Sequence, residues 1–416
     1  MRILHAARNI ANQPGYAVAA LKRLGHDAEV WDYDVNPFGF PADRSIDIRS
    51  GDPAIWWRTF LEAIDRFDVF HFHFARSLFP DSWGGVPPLW DLPIYRILGK
   101  KVFVTFHGSD IRIRRIHLEV NPYSYYRTSD IRYDDDRTTK VTEVWRTYAD
   151  AMFMTSPDYV HFVPDGVVMP RIIDLAEWPD QPPEQREVPR VLHDPSRRGT
   201  KGTDAIVAGL KRLKEEGVAF EYEFLEGVPH AEAKRAIQAA DIVVDNLITG
   251  DYELVSMEAM ASSRVAVANI QEESRKAFPD APIYSVDPPS FVDRMRALIG
   301  DVELRRSLAA RGRAHVAAVH DAPVIAARLV EYYERPSRPV PVRAFPDWFS
   351  IEGSRKIERL ERELAAARVR EFDLRRRLGL PVDAPDDRSL KERLPMPIRL
   401  ALRRARARVT RAIKHR

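Results

Sequence analysis

Short apolar or alternating runs recur along the first 175 residues and are separated by segments with helical periodicity. The runs at 3–6, 28–31, 69–74, 101–105 and 151–155 have the length and pattern of strands. Residues 17–24 are amphipathic with the period of a helix, and Gly25 follows, where helices often end in the left-handed conformation. Strands that alternate with helices predict a parallel sheet covered by helices on both faces.

The same alternation returns after a proline-rich break. Prolines cluster within 177–189, which we interpret as a linker between domains. Beyond it, predicted strands at 191–194, 221–225, 242–245, 264–268 and 283–286 alternate with predicted helices up to residue 333. We therefore expect an α/β protein in which two Rossmann-like βαβ domains, 1–176 and 190–335, face each other across a cleft.

A helical extension follows the second predicted domain. Prolines in 336–350 indicate a second linker, and the weak heptad pattern of 351–380 predicts a short coiled-coil-like helix and self-association. Residues 388–416 combine an apolar helical stripe with a dense arginine face, as interfacial helices do. We expect this basic amphipathic tail to bind an anionic membrane surface. Packing on a partner is the main alternative, and nucleic acid is disfavoured.

Charge and composition narrow the class of protein. The formal net charge of +3 hides an asymmetry: residues 1–351 carry 44 Lys and Arg against 51 Asp and Glu, whereas residues 385–416 carry 11 against 3. An acidic body argues against nucleic acid as its main ligand. The 416 residues include no cysteine, and no apolar run reaches the ~20 residues that span a bilayer. We expect a cytoplasmic protein, peripheral on the inner face of a membrane if the tail binds there.

The stretch 191–270 carries the most specific motifs. Its first strand enters the turn Pro195-Ser196-Arg197-Arg198-Gly199-Thr200-Lys201-Gly202, after which a helix begins. Cationic side chains and free backbone N–H groups at a helix start form a phosphate site. Glu258 lies on a later helix, and a carboxylate can accept hydrogen bonds from two ribose hydroxyls. Together they predict a nucleotide-diphosphate pocket between two strand–helix units.

Three pieces of this stretch also resemble the donor domain of retaining GT-B glycosyltransferases of the family 4 type. They are His193-Asp194-Pro195-Ser196, Lys201-Gly202-Thr203 and Glu258-Ala259-Met260-Ala261, in that order. The resemblance extends over residues 1–335 and is sharper in the second half. It implies a retaining, metal-independent, hexosyltransferase-like enzyme that uses a nucleotide sugar as co-substrate and needs no cofactor. The base, the sugar and the acceptor are not specified by these residues.

The resemblance implies roles for single residues. Lys201 would contact the diphosphate and stabilise the leaving group, and Glu258 would bind the ribose of the nucleotide. His107, directly after a strand of the first domain, would face the donor sugar across the cleft. Gly15, in the first strand-to-helix loop, would allow a phosphate or the acceptor to approach the backbone closely.

The chain departs from the family pattern at two positions. Many relatives carry an arginine five residues before the lysine, where this chain has Ser196, so Arg197 or Arg198 is expected to replace it. Relatives also carry a sugar-binding glutamate where this chain has Gly250. We expect Asp251 to take over part of that role.

Two further features resemble metal ligands but are not interpreted as a metal site. His71 and His73 alternate at a strand end without an apparent third ligand, and a place for one of them in the acceptor cleft is the alternative to a structural role. Asp134-Asp135-Asp136 lies in the polar segment 127–140, which we predict to be a loop with a solvated run of charge.

The resemblance implies a glycosyltransferase that moves a sugar, with retention, from a nucleoside-diphosphate sugar to a glycan or lipid-linked acceptor in surface polysaccharide biosynthesis. A non-catalytic GT-B-like scaffold or binding protein is the alternative, suggested by Ser196, Gly250 and the long tail. A dinucleotide oxidoreductase is disfavoured, because no Gly-x-Gly-x-x-Gly follows a predicted strand.

Overall fold

The computed structural model of the chain describes residues 1–33, 39–47, 52–79, 88–129, 131, 133–180, 186–195 and 197–339. Within these ranges the first domain is built on a seven-stranded parallel sheet with the order β3-β2-β1-β4-β5-β6-β7. Its strands are β1 (Arg2–Ala6), β2 (Asp27–Tyr33), β3 (Arg44–Ile46), β4 (Val69–His73), β5 (Lys101–Phe106), β6 (Ala151–Met154) and β7 (Val167–Val168). The central strands are buried on both faces, which explains why they read as nearly continuous apolar runs.

The second domain has a smaller parallel sheet, with five described strands in the order β12-β11-β10-β8-β9. They are β8 (Arg190–His193), β9 (Glu221–Phe224), β10 (Ile242–Gly250), β11 (Val265–Ile270) and β12 (Tyr284–Ser285). The two sheets, each covered by helices, confirm the predicted class of two Rossmann-like domains. The short edge strands β3 and β7 were not predicted, because two or three residues carry too little periodicity to detect.

Helices fill the connections between strands. They are α1 (Gln13–Arg23), α2 (Pro53–Arg66), α3 (Leu92–Ile97), α4 (Arg114–Val120), α5 (Asp135–Tyr148), α6 (Arg198–Lys201), α7 (Thr203–Glu215), α8 (His230–Ala239), α9 (Leu254–Ala261), α10 (Glu272–Ala277), α11 (Phe291–Gly300), α12 (Val302–Val319) and α13 (Ala322–Glu334). Of the described helices, none combines the length and the apolar character needed to cross a membrane. The predicted elements at 351–380 and 388–416 lie outside the described residues.

The acidic run 134–136 begins a helix, so the expectation of a loop was wrong, although Asp134 and Asp136 are exposed as expected for a solvated run of charge. The Asp134 carboxylate accepts a hydrogen bond from the backbone N–H of Arg137 at 3.0 Å and caps α5. The Asp135 carboxylate accepts from the N–H groups of Arg114 and Arg115, at 2.7 and 3.1 Å, where α4 starts. Carboxylates satisfy the unpaired N–H groups of a first helical turn, and here they do so for two helices.

The last described helix returns to the first domain. Ile325, Leu329 and Tyr333 of α13 are fully or almost fully buried, and they pack with Ile3 and Leu21 in one apolar cluster. The sequence assigned this helix to the second domain, which it follows in the chain. Its packing assigns it to the first, so the chain crosses between the domains a second time after α12.

Polar contacts join the two domains near the carboxyl end of β10. The Asn121 side chain donates to the carbonyls of Ile248 and Thr249 at 3.0 and 3.2 Å. The Ser156 hydroxyl donates to the Asp251 carboxylate at 2.5 Å. In parallel α/β domains ligands bind beyond the carboxyl ends of the strands, so these contacts lie where a bound ligand is expected.

Candidate active site

Lys201 lies at the end of α6, and its ammonium is buried rather than open to solvent. Nζ donates to Asp245 Oδ1 at 2.6 Å and also contacts Glu253 Oε2, while only 4% of the residue is exposed. Asp245 interrupts the apolar strand β10, and its second oxygen accepts from Glu253 N–H and Ser256 Oγ, each at 2.8 Å. A buried cation is stable only when it is paired, and Lys201 has two carboxylates to pair with.

Two buried arginines extend this arrangement toward the first domain. Arg171 lies 3.7 Å from a carboxylate oxygen of Asp251 and 3.7 Å from one of Glu253. Arg112 pairs with Asp158 at 3.1 Å. We call these seven residues the cleft ion cluster: Arg112, Asp158, Arg171, Lys201, Asp245, Asp251 and Glu253. It holds three cations and four carboxylates, so every cation in it already has a protein counter-ion.

The ionisation of the cluster depends on these contacts. Burial by itself would raise the pKa of Glu253, but Lys201, Arg171 and Arg112 lower that pKa to about 2. Burial opposes the charge on Lys201, yet Asp245 and Glu253 raise its pKa. Asp251 differs, because burial raises its pKa to about 6 despite the nearby Arg171. Glu253 is therefore a firmly ionised carboxylate between two cations.

Glu258 is buried on α9, as its apolar neighbours in the sequence indicated. Its Oε1 lies 2.9 Å from His230 Nε2, and 5% of the residue is exposed. Burial raises the pKa of Glu258, and His230 partly opposes the shift. Burial also raises the pKa of Asp194 to about 6, with Glu258 adding to the effect. Asp194 is therefore a second hydrogen-bond acceptor near Glu258. His230 occupies one side of Glu258, where the ribose is expected to bind.

The departures at 250 and 251 have local explanations. Gly250 has φ 99°, and a Cβ built there would lie 3.0 Å from Cδ of Gln271 and 3.3 Å from Nδ2 of Asn121, so a larger residue would be strained and crowded. The Asp251 carboxylate accepts from Ser156 Oγ at 2.5 Å and from Ser274 Oγ at 2.7 Å. Both of its oxygens are engaged, so Asp251 links the domains instead of pointing freely at a sugar.

The arginines of the turn 195–202 are exposed. Arg198 donates to Asp204 Oδ1 at 2.9 and 2.6 Å on the surface and lies over the Phe224 ring. Arg197 is exposed as the residue before α6. Arg198 is paired on the surface and not with a carboxylate of the cleft ion cluster, so in this conformation it does not take the place of the family arginine. Ser196 lies outside the described residues.

Gly15 lies in the first turn of α1, which begins at Gln13, and not in the strand-to-helix loop where the sequence placed it. A Cβ at this position would lie 2.2 Å from Oδ1 of Asn12, the residue before the helix, whose φ is 57°. The missing side chain thus makes room for the protein's own Asn12, which covers the start of the helix.

His107 follows β5 and belongs to a group of histidines. β1 pairs with β4, placing His5 opposite His71, and β4 pairs with β5, placing His73 opposite Thr105. His5, His71 and His73 are buried, and ligand atoms of the three lie within 4.8 Å of one another. The third histidine that the sequence did not reveal is therefore His5, contributed by a strand far away in the chain.

Several residues of the site were not predicted. Arg112, Arg171 and Glu253 have no motif of their own, and Tyr333 belongs to a helix that we had assigned to the other domain. Asp245 had one available signal, since a lone carboxylate inside an apolar strand must be paired when the strand is buried. The ion pairs of the cluster join residues 44 to 82 positions apart, beyond the reach of local patterns.

The arrangement can be compared with known proteins. No family model matches the chain, and no curated protein does. Among solved structures it is similar to sucrose-phosphate synthase from Thermosynechococcus elongatus, with a TM-score of 0.55 and 14% identity over 80% of this chain and 98% of that chain. It is also similar to HepE from Anabaena, solved in complex with UDP, with a TM-score of 0.54 and 12% identity over 80% and 99% of the two chains. The chain therefore has the two-domain GT-B fold of glycosyltransferases.

Proposed function

We propose that this protein is a glycosyltransferase that takes a nucleoside-diphosphate sugar as donor. The observation that carries the proposal is Lys201, a buried cation beyond the carboxyl ends of the second sheet, in contact with Glu253 and close to the helix that bears the buried Glu258. A neighbouring structure of the same fold holds UDP. The resemblance of the 191–270 motifs to family 4 enzymes supports retention and independence of metal.

In this proposal the donor diphosphate takes the place of the Glu253 carboxylate. A diphosphate carries the negative charge that Lys201 and Arg171 need, so it can serve as their counter-ion once Glu253 moves aside. The two cations would then stabilise charge on the leaving phosphate as the sugar–oxygen bond breaks. Glu258, with His230 displaced, would accept hydrogen bonds from the ribose. His107 would contact the sugar from the first domain.

The first experiment identifies the donor. Thermal unfolding is measured with UDP-, GDP-, ADP- and dTDP-sugars, and turnover is then measured with the donor that stabilises the protein most. Lys201→Ala should remove about 2–4 kcal/mol of transition-state stabilisation and so lower turnover. Lys211→Ala, which removes an exposed lysine of α7, is the matched control and should leave turnover unchanged. Turnover of Lys201→Ala within threefold of wild type would contradict the proposal.

The acceptor side of the proposal is a glycan or lipid-linked acceptor in surface polysaccharide synthesis, reached by a protein that the basic tail holds at an anionic membrane. Basic residues near such a membrane contribute about 1 kcal/mol each. Flotation with anionic vesicles should recover the full chain in a salt-sensitive manner and a version ending at Asp383 much less. Equal recovery of the two would contradict a membrane anchor, while loss of dimerisation in the short version would support self-association through the tail.

A non-catalytic GT-B-like binding protein is the second candidate, favoured by the ion cluster itself. All its cations are paired by carboxylates, and Gly250 cannot supply the sugar contact of relatives. Nucleotide binding without either transfer or donor hydrolysis, for every donor that binds, would support this candidate over the enzyme.

A further inference from the structure

Six side chains form one continuous line of hydrogen bonds in the first domain. His71 lies between Thr105 and Tyr333, with Nε2 at 2.6 Å from Thr105 Oγ1 and Nδ1 at 2.5 Å from Tyr333 Oη. The same Tyr333 oxygen lies 3.2 Å from His5 Nε2. His5 Nδ1 is 3.0 Å from His73 Nε2, and His73 Nδ1 is 3.1 Å from His107 Nε2. We call this line the histidine chain.

The histidines of the chain are neutral at physiological pH. Burial lowers the pKa of His5 and of His107 to about 3, and it lowers the pKa values of His71 and His73 well below their usual range. A neutral imidazole carries one N–H and one bare nitrogen, and a phenol carries one proton. Each inner member therefore donates one bond and accepts the other, so all the bonds must run in the same direction.

The hydroxyl of Thr105 sets that direction. Among the described residues, His71 Nε2 is its hydrogen-bond partner, so its buried proton is satisfied only if Thr105 donates. His71 then donates from Nδ1 to Tyr333, Tyr333 donates to His5 Nε2, and the order continues through His73 to Nε2 of His107. Every histidine of the chain carries its proton on Nδ1.

We propose that Tyr333, His5 and His73 are positioning residues that fix His107 as a hydrogen-bond donor, with its proton on Nδ1. His107 has its Nε2 occupied by His73, and its backbone N–H donates to Asp110 at 3.0 Å, so both the ring and the loop are held. A neutral Nδ1–H donates to an oxygen and does not remove a proton. If the proposed function holds, the oxygen belongs to the bound sugar, and His107 is not a general base.

The ring geometry favours this order over three histidines around a metal ion. His71 and His73 stack at 4.7 Å with 11° between their planes, and His5 and His73 stack at 5.2 Å with 28°. Nitrogen lone pairs lie in the ring planes, so nearly parallel stacked rings direct them side by side and not toward one point. A divalent cation would also lie close to His107, and the positive charge of Arg171 already disfavours a further positive charge there.

The decisive experiment is nitrogen NMR of the full chain with labelled histidine, because it needs no substrate. His107 should show a protonated Nδ1 and a bare Nε2, as should His5, His71 and His73, with signals assigned from single His→Gln variants. A protonated Nε2 on His107 would overturn the proposal. Stoichiometric zinc in the purified protein that His5→Gln releases would overturn it as well.

The role of the chain is tested with Tyr333→Phe, which removes one hydroxyl and keeps the ring in the apolar cluster. The two halves of the chain lose their link, so His107 should populate both tautomers, and turnover should fall about 5- to 10-fold, as for one lost hydrogen bond. Tyr332→Phe, the neighbouring residue outside the chain, should change neither. A fixed Nδ1–H in Tyr333→Phe, or mixed tautomers with undiminished turnover, would contradict positioning. If His107 carries its proton on Nδ1 but the protein has no transferase activity, the proposed function is refuted and the order of protons in the histidine chain is not.

Discussion

Two buried polar networks lie at the carboxyl ends of the strands, and they satisfy their buried polar groups in different ways. The cleft ion cluster uses full charges from both domains, and each cation is paired with carboxylates. The histidine chain uses neutral groups of the first domain and α13, and each proton except the one on His107 Nδ1 is shared between two of them. The cluster depends on charge balance, whereas the chain depends on the order of its protons.

The difference has opposite consequences when the pH falls. The histidines have lowered pKa values, so below 6.5 the unfolded chain takes up protons that the folded chain does not, and stability is lost. Asp251 has its pKa raised to about 6, so the folded chain takes up a proton before the unfolded one does, and stability is gained between about pH 6 and 4. The buried neutral histidines therefore make the folded protein less stable in acid, while the buried Asp251 partly offsets that loss of stability.

The largest expected effect is the removal of a cluster cation. Lys201→Met keeps most of the apolar stem but leaves Asp245 and Glu253 buried without their cation, which should lower the free energy of unfolding by about 3–5 kcal/mol. Urea unfolding at pH 7 measures the change, with Lys211→Met as the exposed control. A loss below ~1 kcal/mol would mean that water reaches Asp245 and Glu253 and replaces the contact with Lys201.

The second-largest expected effect is a gain in affinity for the nucleotide. Glu253→Gln keeps the shape of the side chain but removes the charge that competes with a ligand for Lys201 and Arg171. Affinity for the free nucleoside diphosphate should rise about tenfold, which corresponds to about 1.4 kcal/mol. Isothermal titration of wild type and variant measures it. Weaker binding in the variant would show that Glu253 supports the ligand site instead of occupying it.

The histidine chain should reveal itself through the slope of stability against pH. His73→Gln removes one group whose pKa burial holds well below 6.5. The fall in stability on acidification from pH 6.5 should become shallower by up to about 1.4 kcal/mol per pH unit. Urea unfolding at closely spaced pH values gives both slopes. Parallel slopes would show that His73 titrates alike in the folded and the unfolded chain.

The smallest effect is expected outside both networks. Arg198 pairs with Asp204 on the surface, with 47% of its side chain exposed, so Arg198→Ala should change stability and nucleotide affinity by less than ~1 kcal/mol. Thermal unfolding with and without the nucleotide checks both quantities. A larger loss of affinity would mean that Arg198 turns inward when the ligand binds, as the resemblance to the family suggested.

The sequence predicted the fold well because periodicity is local. Strands such as β4 and β8 and helices such as α7 have enough residues for their pattern to be recognised. Lys201 and Glu258 were proposed as site residues from motifs, and the burial of Lys201 was added by the structure. The partners could not be found in this way, since Lys201 reaches Glu253 and His5 reaches Tyr333 only after distant strands and a returning helix are assembled.

The return of α13 decides which half of the molecule the tail is tied to. Lys101, which begins β5, donates to the Arg335 carbonyl at 2.9 Å, and Arg338 N–H donates to Asp150, just before β6, at 2.8 Å. The described chain thus ends at the amino ends of the first sheet, on the edge opposite the cleft. The tail that follows is therefore attached to the first domain, on the side of its sheet away from the carboxyl ends of the strands, and a partner bound by the tail would be linked to that domain and not directly to the second.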